Sequence, residues 1–459
     1  MFPPAVEDWV GADHPARFLR EVVERMDLEA LGFRQSVGEE GRPHYGNKLQ
    51  LKVWLWGYLN RTRSSRQLER ACRENISLIW LTGGREPDHN TLWRFWRRNQ
   101  QGIRKLFAEV VGVAVRAEVV GMVLHALDGT KIRAVASLEG ALNCKRLEKD
   151  LKGLDEWIDE LEREIQENEE RESGSYRLPK ELEDRKELRR RIDEALGKLR
   201  REKASSMNPA EPEARVMPCE GKKRFAYNAQ AVVDEASGMI VAEEVVSESC
   251  DQRQLAGMLE KTRANLGKTA EDTVADKGYR SQEQIGRVAE QGDSVLVRVW
   301  KTEGKQADAY HVSRFRYEEE KDCWVCPQGE ELVYEGTTRQ RRGEDFKSRI
   351  YRCHKGSQCA VSKQCSRERR GRKVRMSPYY RAMAEQRRRQ KDPAQLAKLG
   401  KRKLIVERAF AEIKEHLGFR RWNYRGLEAV RTEWAFVATA YNLRKLLRRW
   451  QTGQLTLGA

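Results

Sequence analysis

A short apolar segment that ends in an aspartate constrains the fold of this chain more than any other feature. Residues 123–127 have the length and composition of a buried β-strand. Asp128 follows directly, and Gly129 can turn the chain sharply. A carboxylate at the end of a core strand can hold a hard cation such as Mg²⁺, which prefers oxygen ligands. The same aspartate could simply cap a turn, so the rest of the chain must decide between these interpretations.

The charge distribution favours a polyanionic partner. The chain has 459 residues, enough for two or three domains with a large core. Lysine and arginine number 88 against 71 aspartates and glutamates, which gives a formal net charge of +17. The excess is concentrated, because residues 366–391 contain eleven basic residues against two glutamates. Such clusters indicate nucleic acid as the partner, and the alternative is an ordinary basic protein.

The sequence contains no apolar run long enough to span a membrane and no signal-peptide pattern at its start. We therefore expect a cytoplasmic protein without a membrane partner. In a reducing compartment the nine cysteines are more often thiols or metal ligands than disulfides.

The first domain, residues 1–120, is predicted to be helical and to bind DNA. Within it, the apolar residues of the segment 88–99 share one helical face, and Arg94, Arg97 and Arg98 lie mostly off that face. A basic helix that follows a short turn can enter a DNA groove. A solvated basic face would have the same charge periodicity, so both interpretations remain open.

The second domain, residues 121–300, contains a predicted helical insertion at residues 140–203. Apolar residues spaced four and three apart over residues 147–165 have the pattern of a coiled-coil seam. A second apolar stripe over residues 182–199 predicts the other arm of an antiparallel helical hairpin. Such a hairpin could mediate dimerisation, contact DNA or act as a spacer.

Strand patterns resume after the insertion, and their order predicts an α/β fold. Two strands are followed by a helix that Asp251 is expected to cap, a short strand that ends at Asp276, a helix and a last strand. This order resembles an RNase H-like core. In that fold the first and fourth strands lie side by side, which would bring Asp128 and Asp276 within reach of shared metal ions. The inference rests on fold analogy.

Residues 301–400 interrupt the core with a basic, cysteine-containing insertion. Cys323 and Cys326 have the spacing of a pair that holds Zn²⁺, and Cys353, Cys359 and Cys365 offer further thiolates for a tetrahedral site. Any four of the five could bind a structural zinc, and reduced thiols without a metal are the alternative. The basic run at residues 367–389 is expected to lie along a phosphate backbone.

The last region, residues 401–459, is predicted to be helical and to carry a third carboxylate. Glu407 and Lys414 are seven residues apart, so both should point the same way from a helix and could bind a metal and a phosphate. Seen alone, Glu407 is more often an exposed helix glutamate. Glu412 is the second choice for the acidic position.

Together these segments resemble a bacterial insertion-sequence transposase of the DDE type, an RNase H-like enzyme with a helical N-terminal domain. Each motif is weak alone, and their order makes the set specific. The motifs that carry the resemblance are Ser64-Ser65-Arg66-Gln67-Leu68-Glu69, Pro87-Asp88-His89-Asn90-Thr91, Asp128-Gly129-Thr130-Lys131, Tyr227-Asn228-Ala229-Gln230, Asp276-Lys277-Gly278-Tyr279, Val406-Glu407-Arg408 and Asn442-Leu443.

The resemblance implies that Asp128, Asp276 and Glu407 form a triad of carboxylates that binds Mg²⁺ or Mn²⁺. It also implies that Lys414 contacts terminal DNA. Related transposases often have an arginine four residues before the glutamate, and Lys403 keeps the charge at that position.

The implied activity is metal-dependent cleavage at transposon ends and strand transfer into target DNA. The implied partners are the terminal inverted repeats, target DNA and a second copy in a homodimer, at the bacterial nucleoid. One alternative is a nuclease on the same core that cuts without joining. Another is a DNA-binding protein derived from a transposase, although the three intact acidic positions argue against it.

Overall fold

The computed structural model of the chain describes residues 5–34, 45–139, 141–169, 180–201, 206–298, 309–338, 346–366, 368 and 370–456. Helices and strands are mixed along these ranges, in agreement with the predicted α/β class. None of the helices in the described ranges is long and apolar enough to cross a membrane.

The N-terminal part consists of helices that pack around the almost fully buried helix α2. A side-chain cap defines the start of α5, because the Asp88 carboxylate accepts hydrogen bonds from the amides of Asn90 and Thr91 at 2.9 Å each. The helices are α1 (Pro15–Arg25), α2 (Asn47–Leu59), α3 (Ser65–Glu74), α4 (Ile76–Thr82), α5 (His89–Arg98) and α6 (Gln100–Arg116).

A mixed sheet forms the centre of the molecule, in the order β4-β5-β1-β7-β8, with β6 also paired to β5. Its strands and two outlying short strands are β1 (Leu124–Arg133), β2 (Leu142–Asn143), β3 (Ser206–Met207), β4 (Arg215–Cys219), β5 (Lys222–Asp234), β6 (Ile240–Val246), β7 (Asp272–Ala275) and β8 (Val295–Val297). The helices within this part of the chain are α7 (Cys144–Glu169), α8 (Lys180–Arg201), α9 (Leu255–Leu266) and α10 (Gln282–Glu290).

Strand β1 pairs in parallel with β7, so the strand that carries Asp128 lies beside the strand that precedes Asp276, as predicted. The expectation that β1 ends at Asp128 was wrong. The strand continues to Arg133 because antiparallel β5 pairs with it as far as Ala226. Asp128 therefore lies inside a strand, and Gly129 makes no turn.

Helices α7 and α8 form the predicted antiparallel hairpin. Glu148, near the start of α7, binds Arg200, near the end of α8, at 2.8 Å, and Glu162 binds Lys186 at 2.5 Å. Leu147, Leu196 and Leu199 are buried at its base. The predicted break at residues 174–175 and 179 lies outside the described residues.

The cysteine-containing insertion folds into a separate antiparallel sheet with its own small core. Its strands, in the order β13-β12-β11-β10-β9, are β9 (Arg316–Glu318), β10 (Cys323–Val325), β11 (Glu331–Thr337), β12 (Arg349–Cys353) and β13 (Lys373–Met376). A short helix, α11 (Ser362–Cys365), lies between β12 and β13. Helix α12 (Tyr380–Arg389) contacts both sheets. Tyr380 packs edge-on against Trp324 of the small sheet with ring centroids 5.0 Å apart, and Gln386 accepts a hydrogen bond from the amide of Val297 in β8 at 3.1 Å.

Two long helices complete the fold: α13 (Pro393–Ala411) and α14 (Leu427–Gln451). Helix α13 begins before the expected position, with Asp392 as its cap and Pro393 in its first turn. A π-helical turn, Glu412–His416, follows it and changes the angular spacing that was predicted to align Glu407 with Lys414.

A buried carboxylate on α14 links the two ends of the chain. Glu433 accepts hydrogen bonds from the Tyr58 hydroxyl of α2 at 3.1 Å and from the Asn423 amide at 3.0 Å. Burial raises the pKa of Glu433 to about 7, although these donors and the charge of Arg63 favour ionisation.

We predict that Glu433 makes the stability depend on pH. Between its usual value near 4.5 and about 7, the unfolded chain has lost this proton and the folded protein keeps it. The free energy of unfolding should therefore fall as pH rises through this window, by about 3 kcal/mol in total. Urea denaturation at several pH values should show the slope in the parent protein and a flatter curve in Glu433→Gln. Parallel curves for the two proteins would disprove the assignment, and Glu290→Gln, at an exposed position of α10, is the control that should keep the slope.

Candidate active site

Two aspartates occupy matched positions on adjacent strands. Leu127 of β1 pairs in register with Ala275 of β7. Asp128 is the next residue of β1, and Asp276 directly follows the last residue of β7. The Asp128 carboxylate accepts a hydrogen bond from the Gly129 amide at 2.8 Å, and that of Asp276 accepts one from the following amide at 2.6 Å. Burial raises the pKa of Asp128, and the nearby charge of Asp276 acts in the same direction.

A cation from α13 partly offsets this effect. The Arg402 guanidinium binds the Asp128 carboxylate, and the two side chains are only 17% and 22% exposed. One turn earlier on the same helix, Lys398 binds the buried carboxylate of Asp272. Sequence reasoning missed Arg402. The four-residue spacing of Lys398 and Arg402 was the available signal, but nothing in the sequence indicates which carboxylates they meet.

A third carboxylate, Asp251, lies beside this pair of strands. It accepts hydrogen bonds from the side-chain amides of Asn228 at 2.7 Å and Gln230 at 2.8 Å, and from the Lys131 ammonium at 3.2 Å. The prediction that Asp251 caps α9 was wrong, since α9 begins at Leu255. Three donors from β1 and β5 occupy the carboxylate instead.

The position of Gly129 depends on this network. A Cβ atom at residue 129 would lie 2.4 Å from Nε2 of Gln230, 2.7 Å from Oδ1 of Asn228 and 3.0 Å from Oδ1 of Asp251. Only glycine leaves room for these groups beside β1. The Tyr279 hydroxyl donates to Gln230 from the other side, which ties the segment after Asp276 to the same network.

The structure does not bring Glu407 to the two aspartates. Its side chain is 61% exposed and forms an ion pair with Lys403 at 3.8 Å. Among the residues that the structure describes, no three His, Cys, Asp or Glu side chains are arranged to hold a metal ion. Glu407 lies five residues beyond Arg402, about 140° around the helix axis, which explains why Arg402 faces Asp128 and Glu407 faces solvent.

The other predicted residues near Glu407 have different surroundings. Glu412 is largely buried and binds Lys445 at 2.8 Å, so it serves as a structural ion-pair partner. Lys414 lies in the π-helical turn, half-buried and near enough to β4 for its charge to act on the thiol of Cys219.

On α5 the three predicted DNA-binding arginines differ in exposure. Arg94 and Arg97 are exposed, and the Arg97 guanidinium lies over the exposed ring of Trp93 at 4.7 Å from its centroid. Arg98 is half-buried, and burial lowers the pKa of its guanidinium. Trp93 and Arg97 together form a flat, cationic surface of the kind that binds nucleic acid.

The cysteines also separate into two groups. Cys326, Cys353, Cys359 and Cys365 line one pocket at the edge of the small sheet. Cys323 is not part of its lining. Cys323 is the first residue of β10 and lies three residues before Cys326. Side chains alternate along a strand, so Cys323 faces away from the pocket.

Two family models match this chain. Residues 325–447 match a transposase DDE domain, and residues 4–98 match a transposase domain (DUF772). Both matches support an insertion-sequence transposase of the DDE type. No curated protein matches it.

The two matches cover different parts of the transposase. The first contains Glu407, Lys414 and the four thiols of the pocket, and the second contains helices α1 to α5. Neither match includes Asp128 or Asp276, so the case for these two residues rests on the geometry of the sheet.

We predict that Gly129→Ala disturbs the site. The added methyl group would overlap the Gln230 and Asn228 amides, so the free energy of unfolding should fall by about 1–3 kcal/mol. Urea denaturation provides the measurement. Gly257→Ala on α9 is the matched control, because nothing lies within 4 Å of its added Cβ, and it should stabilise the protein by about 0.5–1 kcal/mol. Equal effects of the two variants would contradict the prediction.

Proposed function

We propose that this transposase cuts DNA at the ends of its element and joins the freed 3′ ends to target DNA. Asp128, Asp276 and Glu407 are the proposed metal-binding carboxylates. The observation that carries the proposal is the pairing of β1 with β7, which sets Asp128 and Asp276 side by side. The sheet order β6-β5-β1-β7-β8 supports our proposal that this part of the chain is RNase H-like.

The residues at this site suit a divalent cation. Asp128 and Asp276 offer oxygen donors, which Mg²⁺ and Mn²⁺ prefer. The contact between Asp128 and Arg402 also indicates that this position favours a positive charge. Asp128 and Asp276 would hold the metal, which when bound supplies activation of a nucleophile and stabilisation of the leaving oxygen in phosphoryl transfer.

The proposed role of Glu407 requires a movement of α13. Glu407 lies about 7.5 Å further along the helix than Arg402 and on another side, so it reaches the aspartates only if α13 moves. The ion pair between Arg402 and Asp128 is the contact that must break first. We propose that metal and DNA binding together release it.

We propose that basic side chains of two regions contact the DNA. Lys403 and Lys414 lie near Glu407 in sequence, and Arg94 and Arg97 are exposed on α5. We assign residues 1–120 to recognition of the element ends and residues 121–300 with 401–459 to catalysis. Action on two ends favours a homodimer.

We predict that Asp128→Asn, Asp276→Asn and Glu407→Gln each abolish cleavage and leave DNA binding largely intact. Each removes a negatively charged metal ligand without changing the size of the side chain. The assay incubates purified protein with DNA that carries the flanking ends of the element, with Mg²⁺ or with EDTA, and gel shifts measure binding. Glu290→Gln, at an exposed position of α10, should cleave normally.

The same assay separates the alternatives. Joining of the cut ends to a target plasmid supports the transposase, and hydrolysis without joining indicates a nuclease. Binding without cleavage by the parent protein would leave a DNA-binding protein. Metal-dependent cleavage in any one of the three variants would remove that residue from the proposed triad.

We further predict that Arg402→Gln destabilises the metal-free protein. It leaves the half-buried Asp128 carboxylate beside Asp276 without its cation, at a cost of about 1–3 kcal/mol. Mg²⁺ should then raise the melting temperature of the variant more than that of the parent, because the ion no longer competes with the guanidinium. Lys403→Gln is the matched control and should change stability by less than about 0.5 kcal/mol. Equal responses to Mg²⁺ in Arg402→Gln and the parent would contradict the competition.

A further inference from the structure

The small sheet of strands β9 to β13 has little apolar surface to stabilise it. Its described core contains six buried side chains, which are Phe315, Trp324, Leu332, Tyr351, Cys353 and Val374. Domains of this size commonly need a disulfide or a metal ion in addition to such a core. All nine cysteines of the chain are free thiols in the structure.

Four of these thiols meet at one edge of the sheet. Cys326 follows β10 directly, Cys353 is the last residue of β12, and Cys359 and Cys365 lie in the segment after it. They line a common pocket of about 170 Å³ with Leu332 and Phe315 at its base. Strand β11 pairs with both β10 and β12. These pairings bring Cys326 close to Cys353, although the two residues are distant in sequence.

The turn after Cys326 has the form that a metal-binding thiolate requires. The Gln328 amide donates to Sγ of Cys326 at 3.4 Å, and the Gly329 amide donates to the Cys326 carbonyl at 2.9 Å. Gly329 has φ +80°, which favours glycine. Amide donors to sulfur stabilise the charged form and fix the direction of the ligand.

The backbone of Gly371 lies close to the backbone of Cys353. Gly371 has φ +91°, and a Cβ atom there would lie 2.1 Å from the Cys353 carbonyl oxygen. The next residue, Arg372, donates to the Cys365 carbonyl at 2.9 Å and also lines the pocket, as does Lys363. Glu330 and Glu368 line the pocket as well, so its charged side chains balance in sign and the case for a metal rests on the four thiols.

We propose that Cys326, Cys353, Cys359 and Cys365 bind one structural Zn²⁺ that fixes the ends of β10 and β12. Cys323 is excluded because it faces the other side of β10, and His354 is exposed outside the pocket lining. Zinc–sulfur bonds are about 2.3 Å long, so binding draws the four sulfurs closer together than they lie in the structure. Each thiol releases its proton to solvent on binding.

The first test measures metal in the full-length protein, purified without a histidine tag. Elemental analysis should find about one zinc per chain. Cys359→Ser and Cys365→Ser should lose it, and Cys359→His should retain part of it because imidazole is also a zinc ligand. Cys323→Ser is the matched control and should keep the zinc in full. Asp128→Asn should also keep it, which makes this test independent of the proposed catalytic site.

A second measurement covers the case in which the serine variants fail to fold. A mercurial reagent added to the parent protein should release the zinc as about four thiols react, and a strong chelator should lower the melting temperature. Absence of zinc after expression in zinc-supplemented medium would overturn the proposal, and so would full zinc retention in both serine variants. A disulfide among the four cysteines of the purified protein would also overturn it.

Discussion

The parallel pairing of β1 with β7 determines the surroundings of Asp128 and Asp276. Leu127 and Ala275 are the last residues that pair between the two strands. The aspartates that follow them therefore lie side by side. Two like charges in a half-buried position repel each other, and the raised pKa of Asp128 reflects both its burial and this repulsion. Other parts of the chain must therefore supply positive charge there. Arg402 does so in the structure, and a divalent cation would do so more strongly.

Many polar residues of the motifs that carry the family resemblance form hydrogen bonds with one another. Asn228 and Gln230 lie two residues apart on β5, so they share a face and both donate to Asp251. Tyr279 binds Gln230 in turn, and the missing side chain at Gly129 makes room for the group. The network therefore fixes the two aspartates by positioning their backbones, and its members need not touch DNA to matter for activity.

The parts of the fold that the sequence predicted follow from local periodicity and from the order of the elements. Heptad spacing predicted the hairpin of α7 and α8, and the resemblance of the element order to an RNase H-like core predicted that Asp128 lies beside Asp276. Pairings between distant segments could not be predicted in this way. The extension of β1 past Asp128 depends on β5, and the role of Asp251 depends on donors more than 20 residues away. The separation of Cys323 from the other four cysteines depends on which face of β10 it occupies.

Helix α13 carries both Arg402 and Glu407, and this has a thermodynamic consequence. In the observed position it offers a cation to Asp128 and leaves Glu407 in solvent. A metal ion at the aspartates competes with Arg402, so it favours any position of α13 in which that ion pair is broken. If Glu407 contributes a ligand in the second position, metal binding and helix movement stabilise each other by the same free energy. Competition of this kind would keep the metal weakly bound until DNA adds its own preference for the moved helix, which couples cleavage to the presence of the substrate.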